Sequence, residues 1–278
     1  MDIAFLDSHV RTVRKLMLGA IRQSTTSVRL TPRRTLGEGK QPDRLLFFGN
    51  PFFWTAMSFL LRPRALVLGL LLGLFVTGAS ADPAYWKKEI DTLTHSDAEH
   101  PPAKHGIVFA GSSSIRFWTS LQQDFPGLPV IRRGFGGSEL ADSVFYFDRI
   151  VGAYEPRTVV LYAGENDIHA GVSPEKVAAD FNDFRLKLHA TLPETRLIFI
   201  ALKPSPSRWA DHEKAQRANA LIATACAHDP LLTFLDIYPA MLGLDGNPRP
   251  ELFRDDLLHM KPAGYAIWVR MLTPLLKP

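Results

Sequence analysis

Gly106-Ile107-Val108-Phe109-Ala110-Gly111-Ser112-Ser113-Ser114-Ile115 is the stretch whose reading decides the fold. Residues 106–110 form a short apolar run with β-branched members, and such a run predicts a buried strand. A glycine and three hydroxyl residues end it. Ile115, Phe117, Trp118 and Leu121 then recur at roughly helical spacing. A strand that turns through Gly-Ser into a helix sets a side chain at the carboxyl edge of a sheet, where open α/β folds carry their sites. The helix start aims backbone N–H groups at the same spot and favours negative charge there. A Ser-rich helix cap is the commoner use of such a turn. The serines therefore acquire chemical meaning only if the rest of the chain supplies partners for them.

The same strand-turn-helix text recurs downstream. Val130-Ile131 predicts a second strand, followed by Arg132-Arg133-Gly134-Phe135-Gly136-Gly137-Ser138. Three glycines in four residues imply backbone that approaches something closely or takes φ > 0. Ser138 would cap a helix through Leu140, Val144, Phe145, Phe147 and Ile150. Residues 158–163 predict the third and most β-branched strand, ending in Gly164-Glu165-Asn166-Asp167. Ser173-Pro174-Glu175 opens a long helix, with Pro at its first position. Residues 197–202 predict a fourth strand, ending in Lys203-Pro204-Ser205-Pro206-Ser207-Arg208-Trp209, and a helix then runs to about Cys226. Residues 232–235 predict a fifth strand. Asp255-Asp256-Leu257-Leu258-His259 and an amphipathic helix from Pro262 close the chain. Strands that alternate with helices predict α/β architecture, a parallel sheet covered by helices on both faces.

The 278 residues are 46% apolar and 22% charged, the balance of an ordinary globular protein. The net charge of +4 is unevenly placed: residues 1–81 carry +7 and residues 82–278 carry −3. A mildly acidic domain argues against a nucleic-acid partner, which needs a basic face on the domain itself. Residues 1–56 show no convincing period. Residues 57–81 read as a secretory signal peptide: Arg62 and Arg64, an apolar core at 65–76, then Ala79-Ser80-Ala81 ahead of Asp82. The core falls short of the roughly twenty apolar residues of a spanning helix, so no lasting membrane anchor is expected. Export to the periplasm or medium follows, with translation expected to begin at Met57 and residues 1–56 to be a non-native extension; a membrane anchor with an N-terminal tail is the alternative. Residues 82–278 then make one domain, with an opening helix through Trp86, Ile90 and Leu93. Cys226, the one cysteine, reads as a small buried apolar residue.

Four strand ends carry small or polar residues, and in a parallel sheet the carboxyl ends share one edge. Together they supply the parts for acyl transfer. Ser113 would be the nucleophile and His259 its general base. Asp256, three residues before His259, would hold the imidazole tautomer. The backbone N–H groups of Ser113 and Gly137 and the amide of Asn166 would form an oxyanion hole.

These blocks resemble the SGNH/GDSL hydrolase family: Gly-x-Ser after the first strand, glycine after the second, Gly-x-Asn-Asp after the third, and Asp-x-x-His near the C-terminus. The resemblance covers residues 105–270. It implies a three-layer α/β/α flavodoxin-like sandwich and hydrolysis of carboxylic esters without metal or organic cofactor. The family's serine, glycine, asparagine and histidine fall on Ser113, Gly137, Asn166 and His259, with Asp256 completing the triad. The family's usual Gly-Asp-Ser is Gly111-Ser112-Ser113 here, which leaves Ser112 and Ser114 as alternative nucleophiles; the second block carries both Gly136 and Gly137, which leaves Gly136 as an alternative donor. Arg132, where relatives often carry Asn, would add a cation at the pocket rim.

Arg208 and Trp209 follow the fourth strand on the same edge and would bind substrate by charge and stacking, or else form a rigid Pro loop with a packed Trp. Phe117 and Trp118 read as core, Asp167 as a brace of its turn, and His169 as a solvated loop residue. His95, His100 and His105 sit five apart but lack a carboxylate or Cys to complete a metal set. The expected substrate is a small-molecule or carbohydrate ester with a short acyl group, such as acetyl on a sugar. Longer-chain lysophospholipase or thioesterase activity and a non-catalytic binder are the rivals.

Overall fold

The computed structural model describes residues 83–97 and 99–277. The expected signal peptide at 57–81 and the stretch before it lie outside the described residues. Five strands, β1 (Ile107–Gly111), β2 (Val130–Gly134), β3 (Thr158–Tyr162), β4 (Arg196–Ile200) and β5 (Leu232–Leu235), form one sheet in the order β2-β1-β3-β4-β5. Every pairing is parallel. This is the flavodoxin-like, doubly wound order, and the crevice beyond the carboxyl ends of β1 and β3 is its switch point.

Nine α-helices accompany the strands among the described residues: α1 (Lys87–Thr94), α2 (Ser113–Arg116), α3 (Leu121–Asp124), α4 (Leu140–Phe145), α5 (Phe147–Ile150), α6 (Glu165–His169), α7 (Pro174–Thr191), α8 (His212–Cys226) and α9 (Pro262–Leu276). Side chains alternate across the sheet, as the two-residue period of a strand requires. Val108, Ala110, Val159, Leu161, Leu197 and Phe199 join Phe181 and Phe184 of α7 and Ile222 of α8 in one core. Ile107, Phe109, Val160, Tyr162, Ile198 and Ile200 join Trp118, Phe125 and Trp268 of α9 in the other. All residues of β1 and β3 are buried, as expected of a parallel sheet covered on both faces. Each fully buried Phe or Leu contributes about 1.5–3 kcal/mol, so these two apolar layers hold the sheet together.

Three local departures from the sequence pattern shape the site. The helix after the serine turn lasts only one turn, α2, before Phe117 leaves helical geometry (φ −83°, ψ 0°). The helix expected through 140–150 breaks at Tyr146, and Phe145 is left 60% exposed. Strand β2 runs on through Arg132, Arg133 and Gly134, because their backbone pairs with Phe109, Ala110 and Gly111; a side-chain pattern cannot see that ladder. Gly111 closes β1 at φ +129°, and a Cβ there would stand 2.0 Å from the Tyr162 carbonyl oxygen. Only glycine lets β1 press on β3 and turn at that point.

Candidate active site

Ser113 is the first residue of α2. Ser112 before it is extended, donates its N–H to the Tyr162 carbonyl (2.9 Å) and accepts from Ile115 and Arg116. This anchors the turn between β1 and β3. Ser112 and Ser114 are buried, at 3% and 1% exposure, whereas Ser113 is half-buried. The Ser113 Oγ lies 3.0 Å from His259 Nε2. The hydroxyls of Ser112 and Ser114 make no such contact among the described residues.

His259 Nδ1 lies 2.7 Å from Asp256 Oδ2. Asp256 Oδ1 accepts the N–H groups of Leu258 and His259, each at 2.9 Å. The Asp-x-x-His spacing works through a tight loop, not a helix. Leu257 takes φ +55°, its N–H bonds to the Arg254 carbonyl, and Phe253 bridges Met260. Burial alone would raise the Asp256 carboxyl. The hydrogen bonds from the His259 ring and from the two N–H groups outweigh it and hold the carboxyl at about 2. An ionised Asp256 places the proton on Nδ1 and leaves the Nε2 lone pair for the serine hydroxyl.

Phe117 belongs here rather than in the core. Its ring meets His259 edge-on, with centroids 4.7 Å apart at 79°. The guanidinium groups of Arg254 and Arg116 lie 5.0 and 5.5 Å from the Phe117 centroid. Trp118, by contrast, is fully buried. The early end of α2 is what turns Phe117 outward, and an apolar period read at helical spacing missed it.

Two backbone donors are open at this edge of the sheet. The N–H groups of Ser113 and Gly137 have no protein acceptor among the described residues. The Gly136 N–H donates to Glu89 Oε1 at 3.1 Å, so that donor is already engaged. Gly137 takes φ +78°. Asn166 Nδ2 donates to the Ser138 carbonyl at 2.9 Å; a primary amide has a second hydrogen to offer. Asp167 braces this corner by accepting the Leu140 N–H at 3.0 Å. Burial pushes its carboxyl up to about 7, and among the described residues its buried Oδ2 has no partner.

Beneath the site lies a polar cluster that the sequence pattern did not single out. The Lys203 ammonium, 1% exposed, sits on the Glu165 carboxylate. Glu165 also accepts the hydroxyls of Tyr162 (2.7 Å) and Ser205 (2.5 Å). Burial would raise Glu165, but Lys203 and Arg208 bring it below its ordinary value. The cluster ties the end of β3 to the loop after β4. The one available signal was a charged residue within each of two apolar strand ends.

The remaining predicted residues are placed as follows. Arg132 is half-buried, with Nη1 donating to the Arg116 carbonyl at 3.0 Å. Arg208 is half-buried near the Glu165–Lys203 pair. Trp209 stacks on His212 (4.3 Å, 16°), so one face of its ring is covered. Ser207 donates its N–H and hydroxyl to the Leu257 carbonyl, which joins the β4 loop to the histidine loop. His169 is exposed and paired with Asp211 at 2.9 Å. Cys226 is buried, and burial pushes its thiol up to about 12.

The profile of the GDSL-like Lipase/Acylhydrolase family matches residues 102–267. The chain is similar to the platelet-activating factor acetylhydrolase IB subunit alpha1 of Pongo abelii, 28% identical over an aligned length of 185 that covers 61% of this chain and 74% of that protein. The protein of the same name from Homo sapiens is 26% identical over the same shares. Among solved structures, a GDSL-like lipase from Bacteroides thetaiotaomicron superposes with a TM-score of 0.54 at 20% identity, covering 70% of this chain and 97% of that one. An acetylxylan esterase from Geobacillus stearothermophilus gives 0.51 at 14% identity, covering 63% and 95%. With the profile spanning more than half of the sequence, this chain belongs to the GDSL-like lipase/acylhydrolase family and is an ester-hydrolysing enzyme.

Proposed function

We propose that this enzyme is an exported serine esterase that removes short acyl groups, acetyl above all, from carbohydrate hydroxyls. The observation that carries the proposal is the unbroken path from Asp256 through His259 to the Ser113 hydroxyl. His259 Nε2 takes the hydroxyl proton as Ser113 Oγ attacks the ester carbonyl carbon. The carbonyl π pair moves onto oxygen, where the Ser113 and Gly137 N–H groups and the Asn166 amide receive it. The tetrahedral species collapses, His259 returns the proton to the departing alcohol, and an acyl-serine remains. Water repeats the sequence and releases the acid. Asp256 stabilises the imidazolium in both halves.

Short acyl groups are favoured by the proteins named above, which include two acetyl-removing types, an acetylhydrolase and an acetylxylan esterase. Export rests on the signal-like text of residues 57–81.

A panel of p-nitrophenyl esters of rising chain length, run beside acetylated xylo-oligosaccharides, tests the reading. Acetate is expected to turn over fastest, and Ser113→Ala to abolish turnover. A preference for octanoate overturns the short acyl group, and full activity of Ser113→Ala overturns the nucleophile. N-terminal sequencing of exported material is expected to begin at Asp82; retention of residues 1–56 overturns the start at Met57.

A further inference from the structure

Helix α1 lies ahead of the family-matched region, which begins at residue 102, yet it reaches the reaction centre. Glu89 Oε1 accepts the Gly136 N–H at 3.1 Å and lies 3.0 Å from Arg116 Nε. Arg116 is the last residue of α2, three after Ser113. Gly136 precedes Gly137. One carboxylate oxygen thus joins the helix that carries the first open N–H to the turn that carries the second. The contact is close on every side: a Cβ on Gly136 would stand 2.5 Å from Arg116 Nη1, and one on Gly137 would stand 3.3 Å from the Trp86 ring. Trp86 is fixed in turn by its Nε1, which donates to Asp142 of α4 at 3.0 Å.

We propose that Glu89 is a positioning residue that sets the separation of the Ser113 and Gly137 N–H groups. The proposal rests on the acyl-transfer reading of the site given above. Two consecutive glycines have the widest conformational freedom of any dipeptide, and Gly137 already sits at φ +78°. Left alone, the Gly136-Gly137 turn would rotate its N–H groups among several directions. Donors act on a developing oxyanion only when held in place beforehand. By accepting the Gly136 N–H, Glu89 fixes the Phe135–Gly136 peptide, one plane before the peptide that carries the Gly137 donor, and so narrows the directions open to that donor. The link to Arg116 refers that direction to α2, and hence to Ser113.

The rest of α1 is held without Glu89. Ile90 is fully buried, Arg149 binds Asp91 (2.7 Å) and Thr94 (2.9 Å), and just beyond the helix Asp97 accepts two contacts from Arg133 at 2.7 Å and the Tyr154 hydroxyl. Loss of the Glu89 carboxylate therefore leaves the helix docked.

The experiment compares Glu89→Ala, Glu89→Gln and Asp91→Ala with wild type and Ser113→Ala, reading kcat, KM and Tm on p-nitrophenyl acetate in the full domain. Glutamine keeps an oxygen for the Gly136 N–H and loses only the ion pair. Glu89→Ala is expected to lower kcat by about tenfold, with KM within about twofold and Tm close to wild type. Glu89→Gln is expected to restore most of kcat. Asp91→Ala, which loosens α1 without touching the glycines, is expected to keep wild-type kcat. The proposal is overturned if Glu89→Ala keeps kcat, if Glu89→Gln is as impaired as Glu89→Ala, or if Asp91→Ala loses as much kcat as Glu89→Ala. An active wild type with a dead Ser113→Ala and an unimpaired Glu89→Ala removes Glu89 alone. A wild type without ester hydrolysis, or an active Ser113→Ala, removes the acyl-transfer reading and this proposal with it.

Discussion

Replacing Asp167 by Asn should stabilise the protein at pH 8 relative to its effect at pH 4. Asp167 is 1% exposed, with Oδ1 on the Leu140 N–H and Oδ2 unpartnered among the described residues. Burial raises its carboxyl from 3.8 to about 7, with Glu139 and Asp180 adding to the rise and the Leu140 N–H opposing it. Between those two values the folded chain keeps the proton that the unfolded chain has lost. Stability therefore falls as pH rises through that window, and the loss is complete above pH 7. Three units correspond to roughly 4 kcal/mol at about 1.36 kcal/mol per unit. Asn has the same shape, still offers an oxygen to Leu140 and carries no charge. Its buried NH2 costs about 1–3 kcal/mol, but that cost does not depend on pH. Urea midpoints of both proteins at pH 4 and pH 8 give the comparison. The difference between them should move in favour of Asn by about 2–4 kcal/mol across the interval. A difference that stays constant, or that moves towards wild type at pH 8, would mean that Asp167 is ionised and well partnered in the fold, and the reasoning would fail.

Three further outcomes follow from the same site. Asp256→Asn should lower kcat about 10⁴-fold by presenting the wrong face of the His259 imidazole to the serine; a loss under about tenfold would remove Asp256 from the triad. Because the Asp256 carboxyl is held at about 2, the wild-type kcat/KM profile should show no inflection from it between pH 4 and 8, and the stability it lends, present above 3.8, should fade only as pH drops towards 2. Phe117→Ala should lower kcat about tenfold while moving the urea midpoint little, since its ring orients His259 from a half-exposed position; a large midpoint shift with unchanged kcat would return Phe117 to a purely structural role.

Much of the architecture was readable before any coordinate. The apolar runs at 107–110, 158–162, 197–200 and 232–235 are strands, and Pro174 and Pro262 open the helices they announce. Strand burial on both faces leaves an apolar run with nothing polar to confuse it. The short pieces were less readable. Helix α6 covers Glu165–His169 inside what reads as a loop, because five residues are too few for a period to emerge. Arg132 and Arg133 stand in β2 because of the backbone ladder to β1, a contact that side-chain polarity does not report.

The candidate site divides in the same way. Ser113, Gly137, Asn166, Asp256 and His259 were named from residue types at strand ends, because a chain that keeps alternating strand and helix sends all those ends to one edge. Order along the chain and chemical type are local properties, and local properties are written in the sequence. Which of three serines meets an imidazole, which of two glycine N–H groups is already engaged, and that Phe117 touches His259 while Trp118 is core are set by the packing of loops about 20 to 150 residues apart. The Glu89 contact to Gly136 and the Glu165–Lys203 pair under the site belong to the same class. They depend on distances across the fold, and such distances exist only once burial of the two apolar layers has brought the segments together.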